Sequence, residues 1–204
     1  MNTAELKTTI SSAMAIFEQS ADELRDLDAA LGDGDLGITA SSGAQAVIAA
    51  LAALDDERTP AEVARACAKA FANANPSTMA ALVAGALLAG SKTWDGVSEV
   101  GLAEGVVFAQ AGIDSISTRG KSVQGDKTIL DALIPAVEAL REAPDAAAAV
   151  DAAILAAEKG VVDTKEMQSR RGRASWLQER SIGLQDPGAT AFLRFLEAWR
   201  DASK

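Results

Sequence analysis

The chain has 204 residues, a formal net charge of −10, one cysteine, only 4% aromatic residues and no histidine or tyrosine. That length suits one compact domain with a substantial core. The negative balance disfavours nucleic acid, whose phosphates need a basic surface, and anionic membrane surfaces, while the missing histidine excludes histidine bases, phosphohistidine intermediates and histidine-ligated metals.

Alanine is abundant and few β-branched runs alternate with period two, so the fold class is all-α. A first helix over about 3–27 carries Leu6, Ile10, Met14, Phe17, Ala21 and Leu24 at steps of three and four, one apolar face. The next step of that rhythm lands on Asp28, a carboxylate drawn toward the interior end of a bundle, where an unpaired charge is costly. A second helix covers about 37–54. The linker L-D-D-E-R-T-P then supplies Thr59 as a cap and Pro60 as a first-turn residue for a third helix to about 74. N-A-N-P interrupts, and Ser77 or Thr78 opens a fourth helix, M-A-A-L-V-A-G-A-L-L-A-G. Its small residues allow close packing, and being apolar all round it is expected to be the most buried element.

A fifth helix from about 98 keeps Leu102, Val106, Ala109, Ile113 and Ile116 on one face. After the loop S-T-R-G-K-S-V-Q-G-D, a sixth from about 127 carries Leu130, Leu133, Val137 and Leu140, and a seventh over about 144–163 carries Val150, Ile154, Ala157 and Val161. The stretch 164–187 has too few apolar repeats for a helix, and the last helix, from about 188, buries Phe192, Leu196 and Trp199. The total is eight helices in a single domain over 1–204. Cys67, in a helical pattern, reads as a small core residue. With no signal peptide in the sequence, the expected location is cytoplasmic, and the longest apolar run, 79–90, is too short to span a bilayer.

Three features carry chemistry. The stretch D-L-D-A-A-L-G-D-G-D-L-G from residue 26 holds Asp28, Asp33 and Asp35, the last two in a Gly-containing turn that can fold back toward the first. Converging carboxylates repel unless a cation sits between them, and hard oxygen ligands favour Mg²⁺ or Ca²⁺; alternatively, Asp33 or Asp35 caps the helix that follows. The spacing does not match a calcium EF-hand loop. Second, Lys165, Arg170, Arg171, Arg173 and Arg180 make a basic island in an acidic chain, suited to anion recognition or to a solvated loop. Third, D-P-G at 186–188 is either a helix-start turn or part of a site. Two near-matches to a phosphate-binding loop, 85–93 and 120–128, follow no strand and have one residue too many, so both are rejected. Trp94, Trp176 and Trp199 are each expected in core or rim packing.

The segment L-D-A-A-L-G-D-G-D-x-G at 27–37 resembles the metal-binding segment of the dihydroxyacetone kinase nucleotide-binding family, the L-subunit (DhaL) type. R-G-K-S-V-Q-G-D-K-T-I-L-D-A-L-I-P-A at 119–136, T-K-E-M at 164–167 and G-R-A-S-W-L-Q-E-R-S-I-G-L-Q-D-P-G-A-T at 172–190 are similar to its later motifs, in the same order. The resemblance implies an eight-helix antiparallel barrel holding ADP or ATP at one end. Asp28, Asp33 and Asp35 would bind two Mg²⁺ ions bridging to the phosphates. Leu36, Gly37, Ile38, Thr39, Ser77, Thr78, Gly120, Ile129, Arg173, Asp186, Pro187 and Gly188 would form the nucleotide pocket. It also implies a separate K-type subunit that holds a small ketose, a phosphoryl donor protein of the sugar phosphotransferase system in some members, and scope for a homo-oligomer. The chain departs from the usual family pattern at Leu36 and Leu184, where histidine is usual, and at Met79 and Ala80, where Ser-Gly is usual. Those departures mark a divergent subgroup. The competing readings are a non-catalytic, nucleotide-sensing partner module and a lipid carrier using the barrel interior.

Overall fold

The computed structural model describes residues 1–55 and 57–204; Asp56, in the linker before the third expected helix, lies outside them. Helix α1 (Thr3–Phe17) starts in a capping box in which Asn2 accepts from the Glu5 amide and Glu5 answers from its side chain. A single 3₁₀ turn, Glu18–Ser20, joins it to α2 (Ala21–Leu31), so the expected first helix is one rod with a tightened waist. The helices that follow are α3 (Leu36–Ala52), α4 (Pro60–Ala74), α5 (Thr78–Thr93), α6 (Leu102–Gly120), α7 (Leu130–Glu142), α8 (Ala146–Asp163) and α9 (Pro187–Ala202). Counting the rod once, the described residues form the eight helices expected. Boundaries fall where side chains satisfy the free first-turn amides: Thr59 with Glu62 opens α4, Ser77 opens α5, Asp145 opens α8 and Asp186 opens α9.

Each helix packs on its chain neighbour and α9 returns to α1, closing a ring in the order α1, α3, α4, α5, α6, α7, α8, α9. Short connections make neighbours antiparallel. The N-termini of α3, α5, α7 and α9 therefore share one end of the barrel, together with the C-terminus of α2. A core cluster of Leu6, Met14, Phe17, Leu24, Val47, Leu51 and Val63 fills the α1–α4 side. Ala132, Ala136, Ala153, Ala157, Leu193 and Leu196 fill the α7–α9 side, and Ile113, Ile116, Leu130 and Val137 join α6 to α7. Cys67 is buried, as expected, and burial pushes its thiol up to about 12, so it is chemically quiet.

Two expectations are corrected. The apolar helix α5 is not the most buried element: Leu88 is 45% exposed, and α3 buries more of its length. A barrel wall helix touches mainly its two flanks, here α4 and α6, so apolar residues all round do not put it at the centre. Its small residues do admit α6 closely, since Arg119 lies over Gly85 and the Phe108 ring over Gly90. Trp176 is also misjudged, being 79% exposed on the 164–187 segment. Trp94, by contrast, is buried against Phe108 with its indole N–H on the Glu104 carbonyl at 3.0 Å.

Candidate functional site

The shared helix end gathers the acidic stretch. Asp28 lies in the last turn of α2, half-buried at the end of the apolar stripe, and its Oδ2 accepts from the Leu36 amide at 3.2 Å. The chain turns at Gly34, whose φ of +74° suits glycine, and Asp35 stands at the N-cap of α3 without making a side-chain cap bond. One carboxylate oxygen from each of Asp28, Asp33 and Asp35 lies within 4.8 Å of the others. Neither capping by Asp33 nor by Asp35 is observed, so the helix-cap reading gives no account of this convergence. Burial, and then the charge of Asp28, hold the Asp35 carboxyl above its ordinary value. The guanidinium of Arg173 pairs with Asp33 and lies 3.7 Å from Asp35. Three hard oxygen donors, two of which already face a stand-in cation, fit a divalent ion such as Mg²⁺.

Beside the triad is a groove of about 520 Å³ lined by Asp35, Ala72, Pro76, Ser77, Thr78, Ala81 and Arg173. Thr39, buried in the first turn of α3, donates to Ser77 Oγ at 3.2 Å and accepts from Asn75 Nδ2 at 2.8 Å, locking the starts of α3 and α5 together. Gly37 is obligatory where α3 passes α2, because a Cβ there would lie 2.7 Å from that of Arg25 in α2. Ile38 is 60% exposed at the rim. Of the positions that depart from the family pattern, Leu36 turns its side chain into the core while its amide serves Asp28, and Ala80 keeps its amide on Ser77 Oγ at 3.0 Å. Backbone geometry at both positions is therefore intact.

The remaining expected residues form a second group at the same end. Gly120 closes α6 and Ile129 stands at the N-cap of α7. Gly188 faces both the Ile129 amide and the Met79 methyl group, tying the starts of α9, α7 and α5 together. Asp186, Pro187 and Gly188 are buried; Asp186 performs the capping role, accepting from the Ala189 amide at 2.7 Å. These residues do not line the groove. Four helix N-termini nonetheless point to this end, and their free amides and dipoles favour an anion.

Burial pushes the Asp186 carboxyl up to about 7 from an ordinary 3.8, with Asp131 nearby adding repulsion. A carboxyl whose folded value is raised binds its proton more tightly folded than unfolded, so its stabilising contribution is full below about pH 4 and lost as pH rises to about 7. Asp186→Asn, which keeps an oxygen for the cap, is expected to gain stability relative to wild type across that window, measured by denaturant unfolding at each pH. A difference that does not change with pH would contradict this.

Sequence reasoning missed Asp126, Lys127 and Asp131. Asp131 accepts from the amides of Gly125 at 2.5 Å and Thr128 at 2.7 Å, shaping the loop before α7. A D-K-T-x-x-D pattern in a loop reads as solvated charge; the cue available was its place inside the motif at 119–136.

Known proteins resemble the chain in sequence and in fold. The DAK2 domain family matches residues 30–201. The chain is 31% identical over 193 residues to the PEP-dependent dihydroxyacetone kinase ADP-binding subunit DhaL of Escherichia coli, covering 93% of this chain and 91% of that protein. It is 38% identical over 175 residues to subunit DhaL of PEP-dependent dihydroxyacetone kinase 1 of Listeria innocua, with 81% and 79% covered. Similarity to the L-erythrulose 1-kinase of Mycolicibacterium smegmatis is 34% over 204 residues, 95% of this chain but 35% of that enzyme. The fold matches the dihydroxyacetone kinase of C. freundii, solved with AMP-PNP and Mg²⁺, with a TM-score of 0.79 at 22% identity, over 98% of this chain and 34% of that one.

Proposed function

The chain belongs to the DAK2 domain family, of the DhaL type, and on that premise we propose that it is the nucleotide-binding subunit of a two-component dihydroxyacetone-type kinase. It would pass a phosphoryl group to a small ketose held by a separate K-type subunit. The observation that carries the reading is the convergence of Asp28, Asp33 and Asp35 beside a groove into which Ser77, Thr78 and Arg173 open. Mg²⁺ held by the three carboxylates would neutralise phosphate charge during transfer. The chain's own residues do the rest. Arg173, freed from Asp33 and Asp35, offers a bidentate contact to a phosphate oxygen pair. The α3 and α5 starts give their free amides to the nucleotide phosphates, and the network Thr39–Ser77–Asn75 fixes their spacing.

Phosphoryl transfer needs positioning and charge neutralisation more than a protein nucleophile, so a chain without histidine is adequate for the nucleotide half. The similarity to two subunits named as ADP-binding and PEP-dependent, over 91% and 79% of their lengths, favours retained ADP that a donor protein recharges over free exchange of ATP. The test is to combine the chain, a K-type subunit and either dihydroxyacetone or erythrulose, with ATP–Mg²⁺ or a recharging donor system. Ketose phosphate is expected only when both subunits are present. Nucleotide binding without transfer in any combination would replace this reading with the nucleotide-sensing module.

A further inference from the structure

The segment 164–186 is a closed loop. At its neck the Asp186 amide donates to Thr164 Oγ1 at 2.9 Å and the Gly183 amide to the Lys165 carbonyl at 2.8 Å. Higher up, the Ser169 amide donates to Ser181 Oγ at 2.9 Å. Into the space between the two arms runs the side chain of Lys127, from the loop before α7. It is 2% exposed, its backbone is left-handed at φ +61°, and its Nζ donates to the Met167 carbonyl on one arm and the Ser181 carbonyl on the other. Among the described residues it forms no ion pair with a carboxylate; the field of Asp186 favours the ammonium, but burial opposes it and is the larger effect. The adjacent Asp126 grips the same loop, with its carbonyl on the Arg170 amide at 3.0 Å and its carboxylate on Arg171 Nε at 2.9 Å. Two residues beyond Arg171 the loop delivers Arg173 to Asp33 and Asp35.

We propose that Lys127 is a positioning residue for the nucleotide site: its ammonium clamps both arms of the 164–186 loop, so that the loop holds Arg173 over the acidic triad. The proposal rests on the reading of that end as the nucleotide site, but its first test needs no nucleotide. Lys127→Met fills similar volume and leaves the Met167 and Ser181 carbonyls without their donor. In hydrogen exchange on the full chain without ligand, amides of 164–186 are expected to lose protection at least ~10-fold while those of α1 to α4 stay within about threefold. Uniform loss across all helices, or unchanged loop protection, would overturn the clamp. In calorimetry the variant is expected to bind Mg²⁺–ADP about 10-fold more weakly, with Mg²⁺ affinity in the absence of nucleotide not reduced. An equal fall in both would show a collapsed site rather than a misplaced arginine, and would overturn the positioning role. Should Lys127→Met not fold, Lys127→Ala, which also removes the donor but leaves room for water at the two carbonyls, carries the same measurements. Wild type that binds no nucleotide would remove the proposed function and leave the exchange result to decide the clamp alone.

Discussion

Replacing Asp33 by alanine is expected to weaken Mg²⁺-dependent nucleotide binding by at least about 100-fold, or ~2.7 kcal/mol, with little change in the stability of the ligand-free fold. The two halves of that expectation come from different features of the same carboxylate. Asp33 is exposed and accepts no amide at the start of α3, and its pairing with Arg173 is solvent-facing, so losing it costs under ~1 kcal/mol of folding stability. Its oxygen is nevertheless one of the three that converge within 4.8 Å, and a triad reduced to two loses a charge and a ligand together. Asp28 is a poorer choice for the same experiment, because it also accepts the Leu36 amide and its removal would disturb the α3 start. Thermal unfolding without ligand, beside calorimetry with Mg²⁺–ADP, separates the two effects. A variant that binds as wild type does would sink the role assigned to Asp33.

Gly160→Ala should be the most damaging small substitution in the barrel wall. Gly160 in α8 lies against the first turn of α7, where an added Cβ would fall on the Asp131 carbonyl oxygen and 2.9 Å from the Ala132 Cα. Those are backbone atoms of a helix start, which cannot rotate away as a side chain would. Overpacking of this kind costs about 3 kcal/mol, lowering Tm by roughly 6–12 °C in a domain of this size. The effect should also reach the functional end, because moving Asp131 strains its bonds to Gly125 and Thr128. A Tm within about 1 °C of wild type would show that α7 and α8 part easily and that the contact is not limiting.

Much of this was readable from residue order. The stripe from Leu6 to Leu24 carried straight through to Asp28, because helical periodicity survives the 3₁₀ waist at Glu18–Ser20 with the face preserved. The waist itself was not readable: Ser20 with Glu23 three residues on hints at a helix start, but Ser20 makes no side-chain cap bond. Helix starts at Thr59, Ser77 and Asp186 were legible because capping is local chemistry. The deepest burial expected for α5 failed because hydrophobicity reports how apolar a helix is and not how many neighbours a ring gives it. The 164–187 segment lacked apolar periodicity because it folds around polar anchors. Its 3₁₀ stretch Arg173–Ser181 and its closure depend on Thr164, Ser181 and Lys127, whose partners lie up to 54 residues away. Ion pairing of Arg173 with the aspartates is equally non-local; the basic island could be seen, but not the residue within it that reaches the triad.

The claim that three carboxylates and a groove form a metal-dependent nucleotide site is tested most directly by calorimetric titration of ADP and ATP into the wild-type chain, with and without Mg²⁺. The account predicts saturable binding with Mg²⁺ and at least ~10-fold weaker binding after chelation, since phosphates would otherwise face Asp28, Asp33 and Asp35 unscreened. Equal affinity with and without the metal, or no binding of either nucleotide, would contradict it.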